Sequence, residues 1–221
     1  MRPNNIEIGA SILSADFCYI GEAVEEAISS NIDFIHVDIM DGKFVESITW
    51  GPQTIADIKK NFNVVTDVHL MVEKPEQVLE QYLNAYPDRV SIHPESTYFS
   101  RKLLHQIKNS GAEAGIAMKL ETPIESVINL LDIVDFVLLL SSEEGFGGNS
   151  YSEAIMTSKI CKIMNLKKSL NYKLKIQLDG GIKGHNLGVL YEQGVNRFVL
   201  GSALYNNDPF KMNYEKIINV L

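Results

Sequence analysis

His36, Asp38, His69 and Asp179 are the residues in this chain whose types and spacing point most directly to chemistry. His36 and Asp38 stand in Phe34-Ile35-His36-Val37-Asp38-Ile39-Met40-Asp41-Gly42, an otherwise apolar run in which a polar group is costly unless it is paired or put to use. Side chains alternate along an extended strand, so His36, Asp38 and Met40 share one face while Ile35, Val37 and Ile39 share the other. The design recurs in Asp67-Val68-His69-Leu70-Met71, where Asp67, His69 and Met71 share a face. It recurs again in Lys175-Ile176-Gln177-Leu178-Asp179-Gly180-Gly181, where Asp179 lies opposite Ile176 and Leu178. Two imidazoles and two carboxylates at three strand ends suit a divalent ion such as Zn2+, Fe2+ or Mn2+. Either carboxylate could also move a proton, with a bound ion stabilising the oxyanion left beside a carbonyl. Taken singly, each residue reads equally well as a hydrogen-bonded polar group at a strand end. Their convergence on one mouth carries the chemical reading.

A second set of residues suits an anion. Gly145-Phe146-Gly147-Gly148, Gly180-Gly181 and Gly201-Ser202 follow three successive late strands, and glycines there let the backbone approach a phosphate closely. The formal net charge is −8, so a phosphate must be held locally by backbone N–H groups rather than drawn by a basic surface. The same charge argues against nucleic acid as a partner. Met40, Met71 and Leu140 read as an apolar lining beside the ligands, or as plain core. Ser11 and Ser14 could bond a substrate hydroxyl or cap a helix, and His93 and Glu95 could support the ligands or touch substrate.

These residues need a scaffold that brings strand ends together. Strands are expected at 6–14, 34–42, 64–72, 89–93, 113–118, 136–141, 175–178 and 197–200. Helices are expected at 20–30, 52–62, 75–85, 101–110, 123–133, 152–170, 186–193 and 210–220. Eight strands alternating with eight helices predict an α/β fold, a closed (β/α)8 TIM barrel, with chemistry at the carboxyl ends of the strands. An open dinucleotide-binding sheet would want GxGxxG after its first strand, where this chain has Ser11-Ile12-Leu13-Ser14. The 221 residues, 45% hydrophobic and without a linker-like tract, predict a single domain over 1–221. The apolar runs are too short to cross a membrane, and Cys18 and Cys161 read as ordinary thiols of a cytoplasmic protein.

In order and spacing, Ser11-Ile12-Leu13-Ser14-Ala15-Asp16-Phe17, the stretches around His36, His69 and Asp179, Gly145-Phe146-Gly147-Gly148 and Gly201-Ser202-Ala203 closely resemble the ribulose-phosphate 3-epimerase family. The resemblance covers essentially the whole chain. It implies a ribulose-phosphate-binding type of TIM barrel with one divalent metal ion per chain, Zn2+ first and Fe2+, Mn2+ or Co2+ as alternatives. Its ligands would be His36, Asp38, His69 and Asp179, with Asp38 and Asp179 the catalytic acid/base pair. Ser11 and His69 would contact substrate, and the glycine loops with Ser202 would hold the phosphate. The implied partner is a small phosphorylated ketose, D-ribulose 5-phosphate exchanged with D-xylulose 5-phosphate, in a homo-oligomer. D-allulose 6-phosphate or another ketose phosphate is the alternative substrate, and a non-catalytic sugar-phosphate binder the alternative class. Two loops depart from the family pattern. Lys43-Phe44-Val45-Glu46-Ser47 stands where the family reads His-Phe-Val-Pro-Asn, and Leu140 replaces a lining methionine, with Glu144 before the glycines. The Asp-x-Lys-x-x-Asp pattern of barrel decarboxylases and synthases is missing from Asp38-Ile39-Met40-Asp41-Gly42, which has no lysine.

Overall fold

The computed structural model describes residues 3, 5–141 and 152–220. Eight parallel strands close into a barrel in sequence order: β1 (Glu7–Ser11), β2 (Phe34–Met40), β3 (Val65–Met71), β4 (Arg89–Ile92), β5 (Glu113–Met118), β6 (Phe136–Leu140), β7 (Lys175–Asp179) and β8 (Arg197–Leu200). Since β1 pairs with β8, the two ends of the chain meet in one sheet. The expected barrel is therefore the observed one. Ile35, Val37 and Ile39 of β2, Val68 and Leu70 of β3, and Ile176 and Leu178 of β7 join the large core under the helices. Each such side chain is worth about 1.5–3 kcal/mol when fully buried.

Seven α-helices lie between the described strands or after them: α1 (Ile20–Ser29), α2 (Pro52–Asn61), α3 (Leu79–Leu83), α4 (Ser100–Asn109), α5 (Glu153–Leu170), α6 (Gly184–Glu192) and α7 (Phe210–Ile218). The expected helix at 123–133 is instead two 3-10 turns, Ile124–Ser126 and Ile128–Leu130. Ile124, Val127, Leu131 and Val134 are buried at a helix-like spacing, but the backbone closes i to i+3 bonds, as from Val127 N–H to Ile124 O at 3.1 Å. Short runs rich in β-branched residues meet that apolar period without committing to an α-helix. The segment 75–85 likewise divides into a 3-10 turn, Pro75–Gln77, and the short α3.

The interior is filled from the bottom upward. Glu7, at the amino end of β1, meets Arg89, Lys175 and Arg197, and Arg197 also reaches Glu113 at 2.7 Å. Above these ions lie the rings of Phe34 and Phe136, over which the Arg89 and Arg197 guanidinium groups stack at 4.9 and 5.4 Å. A Cβ on Gly9 would sit 2.1 Å from the Phe34 ring and one on Gly115 2.3 Å from the Phe136 ring, so both strands need glycine where the rings cross the barrel. This floor supports the polar layer above it.

Candidate metal centre

Strand register brings the ligand candidates together. β2 and β3 run side by side with His36 opposite Asp67, Asp38 opposite His69 and Met40 opposite Met71, while Ser11 of β1 lies opposite His36. From β7, Asp179 Oδ2 comes within 3.8 Å of His36 Nε2. His36, Asp38, His69 and Asp179 each offer one donor atom, all within 4.8 Å of one another. His36 and His69 are fully buried, Asp38 nearly so, and the Asp179 side chain keeps 20% of its surface open toward the mouth. Ser11 also joins the cluster, its hydroxyl donating to Asp38 Oδ2 at 2.8 Å.

Two chains of hydrogen bonds lead into the cluster from behind. Gln177 Nε2 donates to Asp67 Oδ2 at 2.6 Å, and the same oxygen accepts from His36 Nδ1 at 2.7 Å. A carboxylate only accepts, so His36 carries a proton on Nδ1, while its Nε2 faces the pocket, 3.2 Å from Asp38 Oδ1. On the other side, His69 Nδ1 lies 3.0 Å from the same Asp38 oxygen while its Nε2 lies 2.8 Å from His93 Nε2. Without a cation, lone pairs of nitrogen and oxygen would converge at short range in a buried space.

The charges of these buried groups are strongly linked. Burial pulls His36 down, but the Asp38 and Asp67 carboxylates outweigh it and hold the ring well above its ordinary value. Burial likewise works against ionised Asp38 and Asp67, yet His36, helped by His69 at Asp38, keeps both below the usual carboxylate range. Burial and the Asp38 charge push Asp179 up to about 6. Imidazoles and carboxylates packed this closely depend on one another for their charge, and a donor set of two of each fits a divalent ion.

Around the donors, Met40, Met71 and Val45 pack with Leu13 and Phe44 into an apolar wall. Leu140 stands opposite Asp179 on the neighbouring strand and packs on the inner face with Ala117, Phe136 and Leu138, so it lines the barrel beside that carboxylate. Asp41 accepts the N–H groups of Lys43, Phe44 and Glu73, which fastens the loop after β2 to the one after β3. Phe44 is thereby laid against His93, ring centres 4.8 Å apart.

Of the anion candidates, Gly180 and Gly181 follow β7 with φ of 92° and 61°, a conformation that favours glycine. Asn186 pins this turn through a 3.0 Å bond to Gly181 O. Ser141 ties it to β6 through the carbonyls of Asp179 and Gly180. Gly201 follows the neighbouring β8 and opens a turn closed by Leu204 N–H at 2.8 Å, with Ser202 exposed beside it. A Cβ on Gly201 would sit 2.5 Å from Ser14 Oγ. Gly145, Phe146, Gly147 and Gly148 lie outside the described residues. Ser11 makes no side-chain cap bond to the 3-10 turn Ile12–Ser14.

Sequence reasoning noted Asp67 only as a face-mate of His69 and overlooked Gln177. The signal was present, since both sit two residues before a ligand candidate on the same strand face. The ionic floor left no such local trace.

The chain matches the family model described as the ribulose-phosphate 3 epimerase family over residues 7–205. It is 39% identical over 207 residues to the chloroplastic ribulose-5-phosphate-3-epimerase of Arabidopsis thaliana, covering 91% of this chain and 72% of that protein. It is 35% identical over 215 residues to a ribulose-phosphate 3-epimerase of Helicobacter pylori, covering 97% and 98% of the two chains. Among solved structures, a mutant tryptophan synthase alpha-subunit from Pyrococcus furiosus superposes with a TM-score of 0.70 at 13% identity, covering 100% of this chain and 99% of that one. Phosphoribosyl anthranilate isomerase from Thermus thermophilus gives 0.67 at 16%, covering 97% and 98%. Those two likenesses speak to the barrel alone. The sequence matches go further, and on them the chain belongs to the ribulose-phosphate 3-epimerase family.

Proposed function

We propose that this chain interconverts D-ribulose 5-phosphate and D-xylulose 5-phosphate by transferring protons at carbon 3. The observation that carries the reading is the meeting of Asp38 and Asp179, from strands three places apart round the barrel, in one donor cluster at its mouth. His36, Asp38, His69 and Asp179 would hold one divalent ion, Zn2+ first, with Fe2+, Mn2+ and Co2+ as alternatives for such donors. When bound, it supplies positive charge against the oxyanion that develops as the carbon 3 proton leaves. Asp38 and Asp179 approach a substrate lying between them from different sides, so one takes the proton and the other returns one to the opposite face. Ser11 orients Asp38 through its hydroxyl and, with His69, contacts the sugar. Met40, Met71, Val45 and Phe44 exclude water that would otherwise compete in the proton transfers.

Backbone N–H groups of Gly180, Gly181, Gly201 and Ser202 would hold the phosphate, joined by Gly145, Phe146, Gly147 and Gly148. The turns after neighbouring β7 and β8 support that placement. No helix of the described residues is long and apolar enough to cross a membrane. We place the protein in the cytoplasm as a homo-oligomer. Two exposed free thiols suit a reducing compartment, and exposed Phe17, Tyr19 and Ile48 supply apolar surface for a subunit contact.

The test is epimerisation by protein stripped and reloaded with zinc, with D-ribulose 5-phosphate and D-allulose 6-phosphate offered side by side. Higher kcat/KM on the pentulose phosphate is expected. Preference for the hexulose phosphate would move the assignment to that sugar, and inactivity on both would refute it.

A further inference from the structure

His93 is fully buried at the carboxyl end of β4, and its Nε2 lies 2.8 Å from His69 Nε2. A bond between two imidazole nitrogens needs one proton, and either ring can supply it. If His69 donates, its Nδ1 is left with a lone pair facing Asp38 Oδ1 at 3.0 Å, inside the donor cluster. If His93 donates, His69 must carry its proton on Nδ1 and cannot bind an ion there. The Asp38 carboxylate by itself attracts an N–H on His69 Nδ1, but with a divalent ion taking up that charge the other nitrogen of His93 decides between them. His93 Nδ1 is buried without a well-aligned hydrogen bond and faces Glu95 Oε2 at 3.4 Å. The other Glu95 oxygen accepts from the Thr122 hydroxyl, which holds the carboxylate in place. A lone pair on Nδ1 would oppose that carboxylate, whereas an N–H there is attracted to it.

We propose that Glu95 and His93 are positioning residues that fix the tautomer of His69, so that its Nδ1 is presented to the divalent ion. The arrangement parallels the support of His36 by Asp67 and Gln177, but reaches the ligand through a second imidazole. The inference rests on the metal site of the proposed function.

The test uses the full chain, stripped of metal and titrated with zinc against a competing chelator. The ring tautomers of the zinc-loaded protein are read from long-range 1H–15N correlations. Glu95→Ala and His93→Phe should each weaken zinc binding by roughly 10–100-fold, the usual effect of removing a residue that supports a ligand. In both variants, the His69 proton should move from Nε2 toward Nδ1. Glu95→Asp, which keeps the charge, should restore part of the affinity. Glu95→Gln, nearly the same size, serves if a larger change unfolds the chain, and should also weaken binding because its amide can favour either tautomer of His93. Zinc affinity within about threefold of wild type, with the His69 tautomer unchanged, would overturn the inference. Failure of the wild type itself to bind zinc would instead overturn the metal site on which it rests.

Discussion

Asp38 serves several groups at once. Its Oδ1 lies near both ring nitrogens that face the cluster, at 3.2 and 3.0 Å, and its Oδ2 accepts from Ser11. Asp179 has fewer protein partners and more solvent, and its proton affinity is raised to about 6 rather than lowered. One carboxyl is therefore kept ionised and the other lies closer to accepting a proton, the kind of division that an acid/base pair needs. Asp38→Asn and Asp179→Asn should each lower kcat by at least ~10²–10⁴-fold, the usual range for a lost acid or base. Zinc content must be measured alongside, because each residue is also a proposed ligand. A near-normal rate in either fully loaded variant would remove that residue from the chemistry. All four donor residues were legible in the sequence, because a polar side chain inside an apolar strand is a local contradiction. His93 was visible too, but its bond to His69 depends on two strands meeting, which spacing alone does not reveal.

At the scale of elements, the turns after β7 and β8 both call for glycine, but by unlike means. Gly180 and Gly181 are favoured by positive φ, whereas Gly201 is crowded by the Ser14 hydroxyl from the segment after β1. Gly201→Val should push that segment away and raise KM for the ketose phosphate at least about tenfold, with a smaller change in kcat, the signature of lost ground-state binding. Steady-state kinetics check this, and an unchanged KM would move the phosphate elsewhere. Strands were read more accurately than helices for a physical reason. A strand buried on both sides shows as a short apolar run with sharp ends, as at 113–118 and 197–200, both matched at each boundary. A segment such as 123–133 buries the right residues at the right period whether its bonds close at i+3 or i+4, so the pattern did not separate the 3-10 turns from an α-helix.

The whole molecule divides its polar groups between two ends of one barrel. The carboxyl end gathers donors for an ion, while at the amino end Glu7 ties Arg89, Lys175 and Arg197 together across positions from 7 to 197 in sequence. No local pattern announced that network, because it exists only once the barrel closes. Burial opposes ionised Glu7, but those cations overcome it and hold its carboxyl well below the ordinary value of 4.5. A depressed carboxyl contributes stability that is present above the unfolded value and lost as pH falls through the folded one. Between about pH 5 and about pH 3, wild-type stability should therefore fall more steeply than that of Glu7→Gln. Near neutrality, the variant should be destabilised by up to the roughly 3–5 kcal/mol of a broken buried pair, less because Glu7 is partly exposed. Urea denaturation across that pH range reads both effects, and parallel curves would show that Glu7 is not a principal support of the floor. The upper end is tested most directly by running the zinc-loaded protein on D-ribulose 5-phosphate in D2O and following carbon 3 by NMR from the first turnovers. Two carboxylates working from different sides predict that the earliest product carries solvent deuterium at carbon 3 while unreacted substrate remains protiated. Early product that keeps the substrate's own hydrogen would contradict the account.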